Sequence, residues 1–404
     1  MSRRRNISRT GALGTILGLI CVCLVGIVTA IKSNFPGWGT IPEEVTSTAI
    51  SQPIPTDFVP GLETPGVSPA PDGSWWEVYF TDWVTTNNPA QWQNSIEGKL
   101  IEKINVAQNS VHIAAFEFDL TPVAEAMIAA RGRGVDGRWV TDDEYGIQAD
   151  AEPGRGQFAM LQNAGIEVRA DNRSALMHNK FIIFDGQILW NGSTNLTKNA
   201  VFKQDNNVIV IHSSELAAIY ENEFQEMWNG QFGRNSPSQI LHQSISVNGT
   251  PVTVVFTPED GAIEQAIIPT VTAAQTEIRF LAFSFTDYPL ASAMIQRRQS
   301  GVDVSGVYET VGSDTDAAEF KTFVCAGVPV RRDGNSSFMH NKVIVVDRRF
   351  VITGSLNYST NAEVNNDENV IILDNSEIAG RYLQDFDRVW SQAVDPPPGT
   401  VICQ

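Results

Sequence analysis

The sequence predicts an α/β protein of layered architecture, built as two tandem repeats of one unit behind a membrane-crossing helix. Three observations point there. Most of the chain is an internal duplication. Short apolar runs such as FIIF and VIVV, typical of strands covered on both faces, alternate with helical patterns. Thr10 to Ile31 is an uncharged stretch of 22 residues rich in Leu, Ile, Val and Gly.

Taken in order, residues 1–32 read as an anchor or signal segment. At helical rise the apolar stretch spans about 33 Å, enough for a hydrocarbon core of roughly 30 Å. Arg3, Arg4, Arg5 and Arg9 precede it and favour an N-inside orientation, which places the rest of the chain outside the cytoplasm. A cleaved signal peptide ending at Ala30, and hence a secreted protein, is the alternative. Residues 33–74 hold eight of the twenty prolines among Ser, Thr and Gly, the composition of an extended tether.

The duplication follows. VHIAAFEF at Val111 is answered by IRFLAFSF at Ile278, an offset of 167. From Ala164 the offset is 162: AGIEVRAD matches AGVPVRRD, His178 matches His340 and Trp228 matches Trp390. The first half therefore carries five extra residues near TDDEYGIQADAEPGRG. The repeats are placed at 75–235 and 236–392, joined by a Gly/Asn/Ser-rich connector near 229–250, with a tail at 393–404 that is not expected to pack. Each repeat reads strand, helix, AFEF-type strand, helix, GVDV-type strand, helix, strand, motif strands and closing helix.

The formal charge is −18, and the five cations of the first 32 residues leave 23 Lys+Arg against 46 Asp+Glu downstream. Such a surface repels polyanions and argues against a non-specific nucleic-acid binder. Four cysteines do not make a disulfide scaffold; Cys325 and Cys403 either pair in an oxidising compartment or remain two thiols.

Both repeats carry the pattern H-x-K-x4-D-x6-G-S-x-N, as LMHNKFIIFDGQILWNGSTN and FMHNKVIVVDRRFVITGSLN. Strand alternation puts His178 with Lys180, His340 with Lys342, Ser193 with Asn195 and Ser355 with Asn357 on common faces. Two such sets meeting across a pseudo-twofold would surround one tetrahedral anion. The lysines and asparagines suit the non-bridging oxygens of a phosphodiester, with Ser193 and Ser355 as further substrate-binding groups. One histidine attacks phosphorus; the other protonates the leaving oxygen.

Eleven residues after the motif asparagine stand Glu368 in the second repeat and Asn206 in the first. This asymmetry predicts His340, backed by Glu368, as general acid and His178 as nucleophile. The reverse assignment stands as an alternative, because a carboxylate also strengthens a neutral imidazole as nucleophile, and Asp205 is another candidate partner for His178.

These motifs resemble the paired H-x-K-x4-D motifs of the phospholipase D superfamily, and NNDENV is similar to the N-x-E-N segment of its bacterial endonuclease and cardiolipin-hydrolase branch. The resemblance spans about 75–392. It implies an α-β-α sandwich in each half, one active site at their interface, a phosphohistidine intermediate, and neither metal nor cofactor. His178, Lys180, Asn195, His340, Lys342 and Asn357 take the family's catalytic roles, with Glu368 in support. Asp185 and Asp347 are expected to brace the motif loops, and Asn206 stands where Glu is usual.

The expected activity is hydrolysis or transfer of phospholipid head groups by a monomer, because one chain holds both motifs. A nuclease of the same superfamily and a non-catalytic scaffold are the alternatives. His112, His212 and His242 lack repeat partners and read as structural. Trp75, Trp76, Trp83 and Trp92 read as packing rather than a lipid-binding mouth, and the acids at 141–152 as a solvated loop.

Overall fold

The computed structural model describes residues 74–236, 243–397, 399 and 401–403. The proposed anchor and the tether, Ser74 apart, lie outside them. Among the described residues no helix is long and apolar enough to cross a membrane.

The first repeat runs β1 (Trp76–Phe80), α1 (Ile96–Val106), β2 (Ser110–Ala115), α2 (Thr121–Gly132), β3 (Asp136–Thr141), α3 (Gln157–Asn163) and β4 (Glu167–Ala170). Then come β5 (Lys180–Phe184), β6 (Ile188–Gly192), α4 (Lys198–Phe202), β7 (Asn207–His212) and α5 (Ser214–Trp228). Its sheet has the order β1-β7-β6-β5-β2-β3-β4, parallel across β2-β3-β4 and antiparallel elsewhere.

The second repeat opens with an added strand, β8 (Gln243–Val247), and then repeats the series. It comprises β9 (Thr250–Thr257), α6 (Ile268–Thr272), β10 (Glu277–Ala282), α7 (Tyr288–Gln299), β11 (Asp303–Tyr308), α8 (Phe320–Cys325) and β12 (Val330–Arg332). It ends with β13 (Lys342–Val346), β14 (Phe350–Gly354), α9 (Thr360–Val364), β15 (Glu368–Asp374) and α10 (Ser376–Gln392). The sheet order, β12-β11-β10-β13-β14-β15-β9-β8, is the first sheet's order with β8 appended.

The motif strands β5 (KFIIF) and β13 (KVIVV) are buried along their whole length, as their continuous apolar runs require. Each turns back through a left-handed corner, at Asp185 (φ 54°) and Asp347 (φ 52°). Asp185 accepts the backbone N–H groups of Gln108, Asn109 and Ser110. Asp347 accepts those of Gln275, Thr276 and Glu277. Although burial opposes it, these donors hold both carboxyls below their ordinary range. The two aspartates fix the corner at the end of the motif strand remote from the histidine, the bracing role expected of them.

Helices cover both faces of each sheet, but the inner helical layer is shared. One continuous core joins Phe181, Ile183, Ile209, Tyr220 and Phe224 of the first repeat to Val343, Val345, Ile371, Tyr382 and Phe386 of the second. Separate outer cores lie beneath α1–α4 and beneath α6–α9. Trp76 is part of the shared core, Trp75 and Trp92 pack at core edges, and Trp83 donates to Gln392, so these tryptophans are packing residues.

The tail packs, contrary to expectation. Val394 exchanges backbone hydrogen bonds with Arg332 at 2.7 and 2.9 Å, and Cys403 is disulfide-bonded to Cys325 across a separation of 78 residues. A strand edge at β12 and a thiol on α8 give the tail something to bind, which its Pro-rich composition conceals.

Candidate active site

The motif histidines sit just before β5 and β13, and the lysines open those strands. Lys180 Nζ donates to the carbonyl of His178 at 2.7 Å, and Lys342 Nζ to that of His340 at 2.9 Å. Phe116 and Phe283, at the ends of β2 and β10, stand edge-on to the imidazoles with centroids 4.9 and 4.6 Å apart, and beneath the ammoniums.

The two sets meet through reciprocal contacts, as a twofold arrangement requires. The His178 N–H donates to Asp367 O at 3.0 Å and the His340 N–H to Asp205 O at 2.8 Å. Asn369 donates to Asn179 at 2.8 Å, and Asn207 to Asn341 at 2.7 Å. All four amides are fully buried, and Tyr382 and Tyr220 donate to Asn207 and Asn369. The residue between His and Lys, Asn179 in one repeat and Asn341 in the other, is thus the asparagine that joins the repeats.

Because the chain segments cross this way, the support residues are exchanged between repeats. Glu368 Oε2 lies 2.7 Å from His178 Nδ1, whereas His340 Nδ1 faces Asn206 Oδ1 at 3.0 Å and Ser193 O at 3.2 Å. The expected pairing of Glu368 with His340 is therefore overturned. The segment leading into β15 lies beside the opposite repeat's histidine, which spacing within one repeat does not reveal. Asp205 is not the partner of His178 either: its carboxylate binds Arg388 at 2.9 Å and Asn335 at 2.8 Å. Asn206 supports His340, not His178.

Carbonyl and carboxylate oxygens accept hydrogen bonds, so both histidines carry a proton on Nδ1 and leave Nε2 as the working nitrogen. Asn206 Nδ2 donates to Ala200 O at 3.1 Å, which fixes the orientation of that amide. Ser193 and Ser355 are fully buried, a second correction. Ser193 Oγ donates to Asn206 at 2.9 Å and accepts from the Asn207 N–H at 3.1 Å. Ser355 Oγ accepts the Asn369 N–H at 3.0 Å and its hydroxyl also bonds Glu368. These serines brace the histidine partners rather than a substrate. The preceding glycines are equally constrained: a Cβ on Gly192 or Gly354 would collide with the carbonyl of Asn207 or Asn369.

Burial sets the electrostatics. It pushes the Glu368 carboxyl up to about 7 against the pull of Lys180, and the Lys180 ammonium down to about 8 against the pull of Glu368. Burial, then the Lys180 charge, lowers Lys342 well below the usual lysine range. Burial and the two ammoniums lower both imidazoles well below the usual histidine range and hold them neutral. An entering phosphodiester anion reverses this trend for every cation around it.

Several site residues escaped the sequence reading. Asp142 and Glu309, buried at the ends of β3 and β11, accept the backbone N–H of Met177 and Met339, the residues before each histidine. Their signal was the duplication itself, since the two share the 167 offset. Asp142 thus corrects the picture of a solvated acidic loop, and Asp150 accepts the N–H groups of Gly156, Phe158 and Ala159 at the start of α3. Asp142, Asp143 and Asp171 bring ligand atoms within 4.8 Å of one another. The Asp142 and Asp171 carboxylates are spent on loop N–H groups and on Arg173. Outside the site, His112 pairs with Glu221 and His212 with Glu77, both structural, while His242 is not among the described residues.

Known proteins are similar to this chain in sequence and in fold. The chain is 35% identical over 120 residues to the human mitochondrial cardiolipin hydrolase, covering 30% of this chain and 48% of that one. It is 30% identical over 164 residues to a Rickettsia felis phospholipase D, covering 40% of this chain and 82% of that one. The chain spans about half the length of the cardiolipin hydrolases it matches. The crystal structure of the Haemophilus influenzae phosphatidylserine synthase superposes with a TM-score of 0.61 over 81% of this chain and 89% of that one. At 13% identity that likeness concerns the fold. A family model described as "Cardiolipin synthase, PLD-like domain" matches residues 100–228 and again 267–390, once in each repeat. With both repeats matched and both motifs gathered at one interface, this chain belongs to the phospholipase D superfamily.

Proposed function

We propose that the protein is a phosphodiesterase that hydrolyses phospholipid head groups, or transfers them to another alcohol, through a phosphohistidine on His178. The observation that carries the reading is the unequal support of the two histidines: a carboxylate behind His178 and an amide behind His340.

In this mechanism Lys180, Lys342, Asn195 and Asn357 hold the non-bridging oxygens and supply the positive charge the transition state needs. His178 Nε2 attacks phosphorus, and the bond to the leaving oxygen breaks as His340, which takes up a solvent proton on Nε2 when the phosphodiester anion binds, donates that proton to it. His340, now neutral, takes a proton from water or an alcohol, which displaces His178 and completes the cycle. Positive charge grows on the attacking ring and falls on the proton donor. A carboxylate therefore lowers the barrier when it stands behind the nucleophile and raises it behind the acid. This supports His178 as nucleophile for a different reason from the one spacing suggested.

Export of the catalytic part, by anchor or secretion, accords with the Cys325–Cys403 disulfide, which suits an oxidising compartment. The strong negative charge favours a lipid over a polynucleotide substrate. With His340→Ala and bis(4-nitrophenyl) phosphate, whose leaving group needs no acid, phosphohistidine is expected to accumulate on His178 in the presence of EDTA. Label on another residue, or loss of wild-type activity in EDTA, would refute the mechanism. Cleavage of single-stranded DNA or RNA without release of lipid head groups would establish the nuclease reading instead.

A further inference from the structure

The duplication leaves one side of the site with a charged pair that the other side lacks. Glu117 follows Phe116 after β2; in the second repeat Ser284 follows Phe283 after β10. Glu117 Oε1 accepts from Asn195 Nδ2 at 2.7 Å, and its Oε2 lies 3.6 Å from Arg155 Nη2. Arg155 belongs to the longer loop of the first repeat, between β3 and α3, and the loop of the second repeat, 309–319, contains no Lys or Arg. The pair thus has no symmetry counterpart. It stands one hydrogen bond from the motif asparagine, and the mechanism gives it no part in attack or proton transfer.

Its hydrogen bonding is incomplete. Arg155 Nη1 and Asn195 Oδ1 are buried and have no hydrogen-bond partner among the described residues. The 3.6 Å separations from Arg155 to Glu117 and to Glu152 are longer than a charge-assisted hydrogen bond. Asn357 Oδ1 is open in the same way in the second repeat, but the Glu117–Arg155 pair, with its open guanidinium donor, is found on this side alone. Buried polar groups are rarely left without a partner, so the donor and the acceptor call for a ligand that offers both. A carboxylate, a guanidinium N–H and an amide oxygen next to the phosphate seat form a polar surface for the part of the substrate that does not react.

We propose that Glu117 and Arg155 form a head-group subsite that selects lipids whose head group carries N–H or O–H donors over those carrying choline. Glu117 accepts from the donor, and Arg155 Nη1 donates to an oxygen on the same group. Choline has no donor to offer, and its methyl groups hold the nitrogen away from the carboxylate. Ethanolamine satisfies Glu117, and serine satisfies both residues. The inference rests on the lipid phosphodiesterase reading above. A site built to hydrogen-bond a group discriminates against the analogue that lacks it; with Glu117 only partly covered, a factor of about ten is expected.

The test measures kcat/KM on vesicles carrying phosphatidylethanolamine, phosphatidylserine or phosphatidylcholine, with bis(4-nitrophenyl) phosphate as a phosphodiester free of any lipid head group. Wild-type protein is expected to favour ethanolamine over choline about tenfold. Glu117→Ser, which installs the residue of the second repeat, should bring that ratio close to one. Arg155→Gln should lower the serine-to-ethanolamine ratio about tenfold. Because the readout is a ratio, a general loss of activity cancels. Should Glu117→Ser fail to fold, Glu117→Leu keeps the volume, removes the acceptor and gives the same reading. Ratios that stay at wild-type values in folded variants overturn the subsite, as does wild-type protein indifferent to the head group. Wild-type protein that cleaves neither the aryl ester nor any lipid overturns the phosphodiesterase reading itself.

Discussion

At Glu368 a single carboxylate separates two otherwise matching imidazoles, and the catalytic asymmetry is expected to reside there. Glu368→Gln keeps the shape and one hydrogen bond but removes the charge facing His178 Nδ1. Loss of transition-state stabilisation of this kind costs on the order of 10²–10³ in kcat. KM should change far less, and a kcat within twofold of wild type would discard the role. The reacting form has Glu368 ionised and Lys180 and His340 protonated. The Glu368 carboxyl and the Lys180 ammonium titrate at about 7 and about 8. Since kcat/KM reports free-enzyme groups and His340 must take up a proton to act as acid, it should be level below about 7. It should fall above about 7 as Glu368 loses its proton, and more steeply above about 8 as Lys180 does. In Glu368→Gln the level region should disappear, so that kcat/KM falls with pH throughout, and the steeper fall above about 8 should remain. A profile flat from pH 6 to 9 would contradict this. The motif residues themselves were legible because the duplication repeats them; the partner of each histidine was not, because the two belong to different repeats.

Among the elements, strands and closing helices could be read from their periodicity, and β5 and β13 from uninterrupted apolar runs bounded by a charge. The serines of the motif were misread because β6 and β14 end at Gly192 and Gly354, before strand alternation can reach them. The tail was misread because packing there depends on β12 and α8, which lie far back in the sequence. Closing a 78-residue loop, the Cys325–Cys403 link stabilises the fold by about 4.5 kcal/mol at 25 °C on the chain-entropy model. Cys403→Ser, or dithiothreitol on wild-type protein, should therefore lower Tm measurably, with no additive effect when combined. Equal melting temperatures in all four conditions would show that the link contributes nothing.

For the whole molecule, the continuous core around α5 and α10 and the four asparagines joining the repeats mean that neither half is complete alone. Residues 74–236 expressed by themselves would expose the inner face of their sheet and leave the buried Asn179 and Asn207 without their partners. They are expected to aggregate or bind a hydrophobic dye. Co-expression with residues 237–404 should restore a soluble complex with activity. A monomeric, well-folded 74–236 fragment would show that the repeats are independent. The sequence displayed the repeats plainly but not the shared middle layer, since apolar residues facing a sheet and apolar residues facing a neighbouring repeat follow the same spacing.

The crossed placement of Glu368 and Asn206 also bears on how a duplicated chain can diverge. A substitution arising in one copy alters the chemistry of the other copy's histidine, so the two halves cannot drift separately toward new roles. Replacing one repeat wholesale with a duplicate of its sibling would give both histidines the same companion and erase the distinction between attacker and donor. What is inherited as a working unit is the seam between the halves, not either half.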